Sequence, residues 1–477
     1  MGNQERYTRS DSVTMKKPNI LLFQNRQIAI SYLAILFSSI GLGIGRFLYP
    51  LRFIELGGNE ALVSLATAAF SIGQLLGIFV LSKLLAKTGF DFLVGVSSWI
   101  LAVALPVIPW YPIMFFSKFF EGLGFGVLTI AVLTLCSAEA KDNISEAIGT
   151  LLGAVFLGTA LGQGIGGLMK TYLFEVWNFS GRFTALQMSF LFAIVVSLIP
   201  IFISVYQSLK ARKVLERKDK ITISHFHFKD LKKLFLIPSF IFMLVLYCLY
   251  DLSHGLYTPN LLVMFTNHGF TEATTGVIFF LGDAVWGISQ IFTGKLADKF
   301  GNWLPIILSI IIKGVGVIMY PLAPGFYVLG SAFIIVGVAE ALMEPARNCE
   351  VLTIEDRLKT DEKFAATKHE HKHINFSYAR SRGMELGIHA HFHNHEVNKE
   401  MILGIFQTAG IISFGLGGSL GSLLISQSVS LEIITYIGAG IILFNIIFGV
   451  IGLSLARKRK AVSQDNNNGL NEKGDEK

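Results

Sequence analysis

Asp251 and His254 are ionisable residues in a long apolar stretch of the sequence. They are three positions apart, so a helix would place both side chains on one face. A carboxylate beside an imidazole can relay a proton near neutral pH, because histidine titrates there. The same two groups can also bind a divalent metal. The spacing therefore indicates a proton- or cation-coupling site, or else a pair that satisfies itself inside a helical bundle.

Glu340, Glu344 and Arg347 form a second ionisable stretch, with the spacing i, i+4 and i+7. On a helix these residues make an acidic stripe with its own counter-ion. The stripe either takes part in coupling, with Glu340 and Glu344 assisting Asp251, or is a salt bridge that locks the helix. Lys313 is also surrounded by apolar residues, and we expect a structural pair between it and Asp283.

The sequence around these groups is that of an α-helical membrane protein. Of its 477 residues, 52% are hydrophobic and only 15% are charged, whereas soluble domains carry about 25% charge. This balance argues against a soluble enzyme, and an ionisable group inside a bilayer costs a few kcal/mol, so each needs an explanation. We predict twelve spans, each near the roughly 20 apolar residues that a bilayer requires. They lie at 28–50, 60–86, 92–110, 112–136, 145–172, 183–206, 236–265, 271–297, 303–322, 325–350, 399–427 and 431–456.

The distribution of Lys and Arg predicts the orientation of the spans. Basic residues are concentrated in the tail 1–27, in the loop 207–235 and at the start of the tail 457–477, while the opposite loops lean acidic. The positive-inside rule then places both termini in the cytoplasm of a cell-membrane protein. The formal charge of +7 follows from these loops and does not indicate a nucleic-acid partner.

The basic loop 207–235 divides the chain into two six-helix halves, 28–206 and 236–456. This is the plan of transporters built from parallel repeats. We expect a monomer in the lipid bilayer, with a polar, disordered C-terminal tail at 457–477.

A histidine-rich insertion, 355–398, interrupts the second half on the predicted cytoplasmic side. Its histidines alternate along the chain, and an extended segment would place each row on one face. Such tracts are typical of Zn, Ni, Co or Cu binding, although a flexible loop whose histidines only titrate is the alternative. The candidate ligands are His369, His371, His373, His389, His391, His393 and His395.

Segment 294–301, between spans eight and nine, resembles the cytoplasmic gating motif of the major facilitator superfamily. Gly294, Asp298 and Gly301 occupy its matching positions. The resemblance covers the chain except the insertion and the tails. It implies a twelve-helix transporter whose spans one, four, seven and ten line a central cavity.

Two further segments resemble motifs of this family. Lys118 and Glu121 in span four stand where the family has an Arg and a Gln associated with proton coupling. Segment 158–167 in span five resembles the glycine motif of the family's antiporters, with Gln163 in place of a proline. Its glycines either mark an antiporter or simply allow close helix packing. They are Gly158, Gly162, Gly166 and Gly167.

The leading prediction is a proton-coupled antiporter that exports a small solute, with a divalent metal as the sharpest substrate hypothesis. Arg46, Tyr257 and Asp283 are the candidate substrate-binding residues. The second hypothesis is an organic solute or drug, including an anion whose carboxylate Arg46 would hold. The third is a membrane metal sensor that transports little. The sequence contains no phosphate-binding Gly-Lys-Ser/Thr loop, so we expect neither ATP-driven transport nor an enzyme.

Overall fold

A computed structural model describes residues 26–85, 90–139, 144–175, 184–215, 238–323, 325–360 and 399–472. Within these ranges the regular structure is entirely helical.

Six helical segments, α1 to α6, form the N-terminal half. They are α1 (Arg26–Glu55), α2 (Glu60–Leu76, continued by a π-helical turn Gly77–Leu81 and by Ser82–Leu85), α3 (Asp91–Ala104), α4 (Ile113–Glu139), α5 (Ile144–Leu168, followed by a π-helical turn Met169–Glu175) and α6 (Ala185–Leu198 with Ile201–Leu215).

Six more, α7 to α12, form the C-terminal half. They are α7 (Pro238–Tyr257 and Leu261–Asn267, joined by the 3-10 turn Thr258–Asn260), α8 (Glu272–Phe300), α9 (Trp303–Leu322), α10 (Phe326–Thr360), α11 (Lys399–Ser426) and α12 (Leu431–Glu472). Each predicted span coincides with one of these twelve segments. Among the described residues, nine segments are long and apolar enough to cross a membrane.

Local sequence signals account for several helix ends and breaks. The Asn59 side chain accepts a hydrogen bond from the backbone N–H of Leu62 (2.9 Å) and caps α2. Thr184 and Gln187 form a reciprocal capping box at the start of α6. Pro259 lies in the 3-10 turn that divides α7, because proline cannot donate to the helical ladder.

The helices pack in the same pattern in both halves. Helix α1 packs on α5 and α6, and α4 packs on α2 and α3; likewise α7 packs on α11 and α12, and α10 packs on α8 and α9. The closest crossings also correspond, since a Cβ on Gly43 would meet the backbone of Thr159, and one on Gly255 would meet the backbone of Phe414. The two halves are therefore parallel structural repeats.

The halves meet where α5 packs on α8 and α2 packs on α11. Polar contacts join them at the end of the bundle opposite the chain termini, which we call the distal end. There Lys170 forms an ion pair with Glu272 (2.7 Å), and Asn260 donates hydrogen bonds to Ser64 Oγ (2.6 Å) and the Glu60 carbonyl (3.1 Å). These contacts join the two halves at the distal end.

Two predicted boundaries differ from the structure. Helix α12 continues to Glu472, so the predicted disordered tail, 457–477, is helical as far as the structure describes it. The first residues of this extension are Arg, Lys and Ala, which are good helix formers. Helix α10 likewise extends to Thr360, into the first residues of the predicted insertion 355–398, and the remainder of that insertion lies outside the described residues.

Candidate substrate and coupling site

A cavity of about 270 Å³ lies between the two halves. Phe70 and Gln74 of α2 line it from the N-terminal half. Residues of α7, α8, α10 and α11 line it from the C-terminal half, among them Trp286 and Phe414. The predicted residues Asp251, His254, Glu340 and Glu344 all lie in its wall. The structure thus brings these four predicted residues together in one site, to which α7 and α10 contribute most of the charged groups.

Glu340 lies at the centre of a buried ion pair. The ammonium of Lys313, whose side chain is 0% exposed, is 2.6 Å from Glu340 Oε1. The hydroxyl of Tyr250 donates a hydrogen bond to Oε2 (2.8 Å). Lys313 Nζ also lies 3.6 Å from the centre of the Tyr250 ring. A carboxylate buried in this way needs both partners, because unpaired charge is expensive away from water.

His254 contacts both members of this pair. Its Nδ1 is 3.3 Å from Lys313 Nζ and 3.5 Å from Glu340 Oε1. We call His254, Lys313 and Glu340 the charged triad. His254 and Lys313 therefore both approach the same carboxylate oxygen of Glu340.

Asp251 pairs with Arg347, one helical turn nearer the chain termini. Arg347 Nη1 is 3.5 Å from Asp251 Oδ1, and the guanidinium lies 3.9 Å from the centre of the Tyr247 ring. The backbone of Gly410 on α11 leaves room for the carboxylate, since a Cβ there would collide with Asp251 Oδ2.

Glu344 completes the acidic wall and interacts electrostatically with Arg347 and Tyr247. Arg347 therefore interacts with carboxylates on two helices, Asp251 of α7 and Glu344 of α10. The sequence predicted that it would balance only the carboxylates of its own helix. The expected pair between Lys313 and Asp283 is also wrong, because Lys313 pairs with Glu340.

A separate charged cluster lies in the N-terminal half. Glu121 accepts from Arg46 Nε (2.6 Å) and from Lys118 Nζ (2.6 Å). The Arg46 guanidinium lies 5.1 Å from the centre of the Phe125 ring. Asp283, on α8, is in electrostatic contact with Arg46 and joins this cluster to the other half. Arg46, Lys118 and Glu121 therefore satisfy much of one another's charge.

The remaining predicted residues have varied positions. Tyr257 is buried beside the His254 ring, with 5.9 Å between the ring centres. Gly301 ends α8 with a φ of 81°, a conformation that favours glycine. Gly294 and Asp298 lie in α8, and the contacts of both residues lie outside the described part of the structure.

The four glycines of span five allow close helix approach. A Cβ on Gly158, Gly162 or Gly166 would press on α1, and one on Gly167 would meet the carbonyl of Glu272 on α8. This is the packing role that small residues serve in membrane helices.

The seven predicted metal-binding histidines lie in 369–395, outside the described residues. Among the residues that the structure describes, no three His, Cys, Asp or Glu side chains come together as a possible metal site.

Sequence reasoning missed the place of Lys313 and the role of Tyr250. Tyr250 lies four residues before His254, so helical spacing alone could have placed it on the same face. Nothing in the sequence of α9 indicated that Lys313 would meet α7 and α10. Phe70 and Trp286 were missed as well, because aromatic residues are common throughout these helices.

Two repeated six-helix halves around a cavity with buried, paired charges define a membrane transporter and not an enzyme. The chain belongs to the Major Facilitator Superfamily, whose model matches residues 31–349. It is accordingly a secondary transporter of that family.

One relative is an uncharacterized MFS-type transporter from Methanocaldococcus jannaschii. It is 24% identical over 319 residues, which cover 64% of this chain and 77% of the relative. Solved structures show the same fold at low identity. A mutant of the nucleoside transporter NupG has a TM-score of 0.60 at 11% identity, with 90% of this chain and 99% of that chain covered. A bacterial homolog of the human lysosomal transporter Spinster, in an inward-facing and unoccupied conformation, has a TM-score of 0.58 at 12% identity, with 92% and 96% covered.

Proposed function

We propose that this transporter exchanges protons for a small organic solute, and that the charged triad is the coupling site. The observation that carries the proposal is the contact of His254 Nδ1 with both Lys313 (3.3 Å) and Glu340 (3.5 Å) in a cavity wall. Histidine changes its charge near neutral pH. Protonation there would weaken the hold of Lys313 on Glu340 and so change the contacts between α7, α9 and α10.

The antiport direction, with export of the solute and both termini in the cytoplasm, is part of this proposal. It is supported by the glycines of α5, which let α5 approach both α1 and α8 closely. Helix α5 lies at the contact between the halves, where relative motion must occur in alternating access. The polar contacts that join the halves at the distal end support entry of the solute from the side of the termini.

An organic solute agrees with the cavity better than a bare metal ion does. Each of the carboxylates Asp251 and Glu340 is already within 3.5 Å of a cationic side chain. Apolar and aromatic side chains, including Phe70, Trp286 and Phe414, occupy much of the remaining wall. Small-molecule sites have this mixture of apolar walls and a few polar groups, whereas metal sites need several free oxygen or nitrogen ligands.

Proteoliposomes with a trapped pH dye test the proposal. Small organic cations, anions and neutral solutes, and then Zn, Ni, Co and Mn, are added in turn. We expect one class of organic solute to move protons, and Glu340→Gln to abolish that movement. The matched control is Glu432→Gln, which makes the same change in a carboxylate that is 35% exposed at the distal end. Proton movement that survives in Glu340→Gln, or that only metals elicit, would overturn the proposal.

A further inference from the structure

We infer that the solute is a small, uncharged aromatic molecule that carries an amide or a similar group able to donate and accept hydrogen bonds. It would bind to the aromatic rings of the cavity and to two uncharged polar side chains, Gln74 and Trp286. The inference rests on the proposed function and names the substrate class of the same site. A contrast in the cavity wall supports it: the charged side chains are paired within the protein, whereas these two side chains make no hydrogen bond among the described residues.

The charged side chains of the cavity wall have partners of opposite charge within the protein. Arg347 Nη1 is 3.5 Å from Asp251 Oδ1, and Lys313 Nζ is 2.6 Å from Glu340 Oε1. Glu344 interacts electrostatically with Arg347. A charged solute would therefore have to take one of these groups from its partner. That exchange leaves another charge buried and uncompensated, which is costly.

The two uncharged polar side chains come from different halves of the protein. Trp286 of α8 lines the cavity, and its indole N–H is buried without an acceptor among the described residues. Gln74 of α2 lines the same cavity and is half-buried. A buried donor without an acceptor is costly, so a solute that accepts a hydrogen bond from Trp286 would remove this cost. Because the amide of Gln74 both donates and accepts, an amide on the solute would complement it.

Aromatic rings supply the apolar part of the wall. The ring centres of Phe70 on α2 and Phe414 on α11 are 5.9 Å apart, and the His254 ring centre lies 5.8 Å from that of Phe414. The Trp286 ring packs on Phe156, with 4.2 Å between the ring centres. Aromatic rings attract one another at such distances, so a flat aromatic solute can make the same contacts. It would touch both halves, as alternating access requires.

The feature that most favours an anion is Arg347, whose Nε is buried without a hydrogen-bond partner among the described residues. Three carboxylates line the same cavity, however, and they would repel an anion bound there; they are Asp251, Glu340 and Glu344. The cavity volume of about 270 Å³ is near the lower limit of roughly 300 Å³ for small-molecule sites. The size of the cavity thus favours a molecule with few rings.

Saturation-transfer NMR on the full-length protein in nanodiscs tests this inference, with empty nanodiscs as the background. The probe is benzamide, which is uncharged and aromatic and carries an amide. Three matched compounds each change one property: benzamidine is the cation, benzoate is the anion, and cyclohexanecarboxamide lacks the aromatic ring. We expect benzamide to bind about tenfold more tightly than each of them, because the others lose ring contacts or bring an extra charge into the cavity.

Two variants test the polar contacts. Trp286→Phe keeps an aromatic ring but removes the N–H, and Gln74→Met removes the amide at similar volume. Each should weaken the binding of benzamide by about tenfold, as the loss of a buried hydrogen bond requires. The matched controls are Trp110→Phe and Gln427→Met, since both residues are exposed at the distal end. Thermal unfolding of each variant shows whether it is folded.

Tighter binding of benzamidine or benzoate than of benzamide would overturn the inference, as would equal binding of cyclohexanecarboxamide. No binding of benzamide, or unchanged binding in folded Trp286→Phe and Gln74→Met, would overturn it as well. Failure of the proposed function has another signature. If charged organic solutes move protons in vesicles and uncharged ones do not, only the inference fails. If no organic solute of any class does so, the proposed function fails with it.

Discussion

Substitution of Lys313 by methionine should destabilise the protein strongly, although methionine fills a similar volume. Lys313 Nζ lies 2.6 Å from Glu340 Oε1, and the side chain is 0% exposed. At that distance two unit charges attract by about 6 kcal/mol if the effective dielectric constant is about 20. Much of this attraction offsets the cost of burying both charges. What the variant loses is the partner of a carboxylate that stays buried.

The expected cost is therefore that of an uncompensated buried charge, about 3 to 5 kcal/mol. Tyr250 still donates a hydrogen bond to Glu340 Oε2 (2.8 Å), so we expect a loss of unfolding free energy near the lower end of this range. The second variant replaces both partners, with Lys313→Met and Glu340→Gln together. Because it leaves no unpaired charge, it should recover most of the stability while transport stays lost.

The assay is the free energy of unfolding in mixed micelles, measured for the wild type, both single variants and the double variant as a cycle. The control pair is His268 and Glu432, which are 3.0 Å apart but 27% and 35% exposed. His268→Gln should cost less than about 1 kcal/mol. The reasoning is refuted if Lys313→Met costs no more than His268→Gln, or if the double variant is as unstable as the sum of the single variants.

Two further predictions concern the geometry around the cavity and the distal contact. Gly410→Ala should displace Asp251, because the added Cβ would collide with its carboxylate. Transport should fall about tenfold or more, while the free energy of unfolding falls by about 1 to 3 kcal/mol. The control is Gly440→Ala, where nothing lies within 4 Å of the added atom. Equal transport in the two variants would contradict the prediction. Lys170→Gln breaks the 2.7 Å ion pair with Glu272 that joins the two halves. Because the halves can then separate more easily at the distal end, a cysteine introduced there should be labelled faster. Unchanged labelling would show that this ion pair does not hold the halves together.

The sequence was sufficient to predict the helical segments and the grouping of Asp251 and His254, because both follow from local periodicity. Helical spacing fixes which residues of α7 share a face, whatever surrounds them. The partners of those residues were harder to predict. Lys313 and Glu340 meet because α9 and α10 pack against each other, and one sequence holds no signal for a specific contact between helices. Asp283 was assigned to Lys313 for this reason, since depth in the membrane alone could not separate two buried carboxylates.

The repeat symmetry of the fold explains why the two halves can carry different chemistry. The helix crossings at Gly43 and Gly255 correspond. Helix α1 crosses α5 at Gly43, and α7 crosses α11 at Gly255. The charged residues do not follow this correspondence. The N-terminal cluster places one carboxylate, Glu121, between two cations, whereas three carboxylates line the cavity from the C-terminal half. Packing between small residues therefore maintains the common scaffold, and the side chains that face the cavity are free to differ. Phe70 of α2 lines the same cavity from the N-terminal half, so a solute bound there would contact both halves.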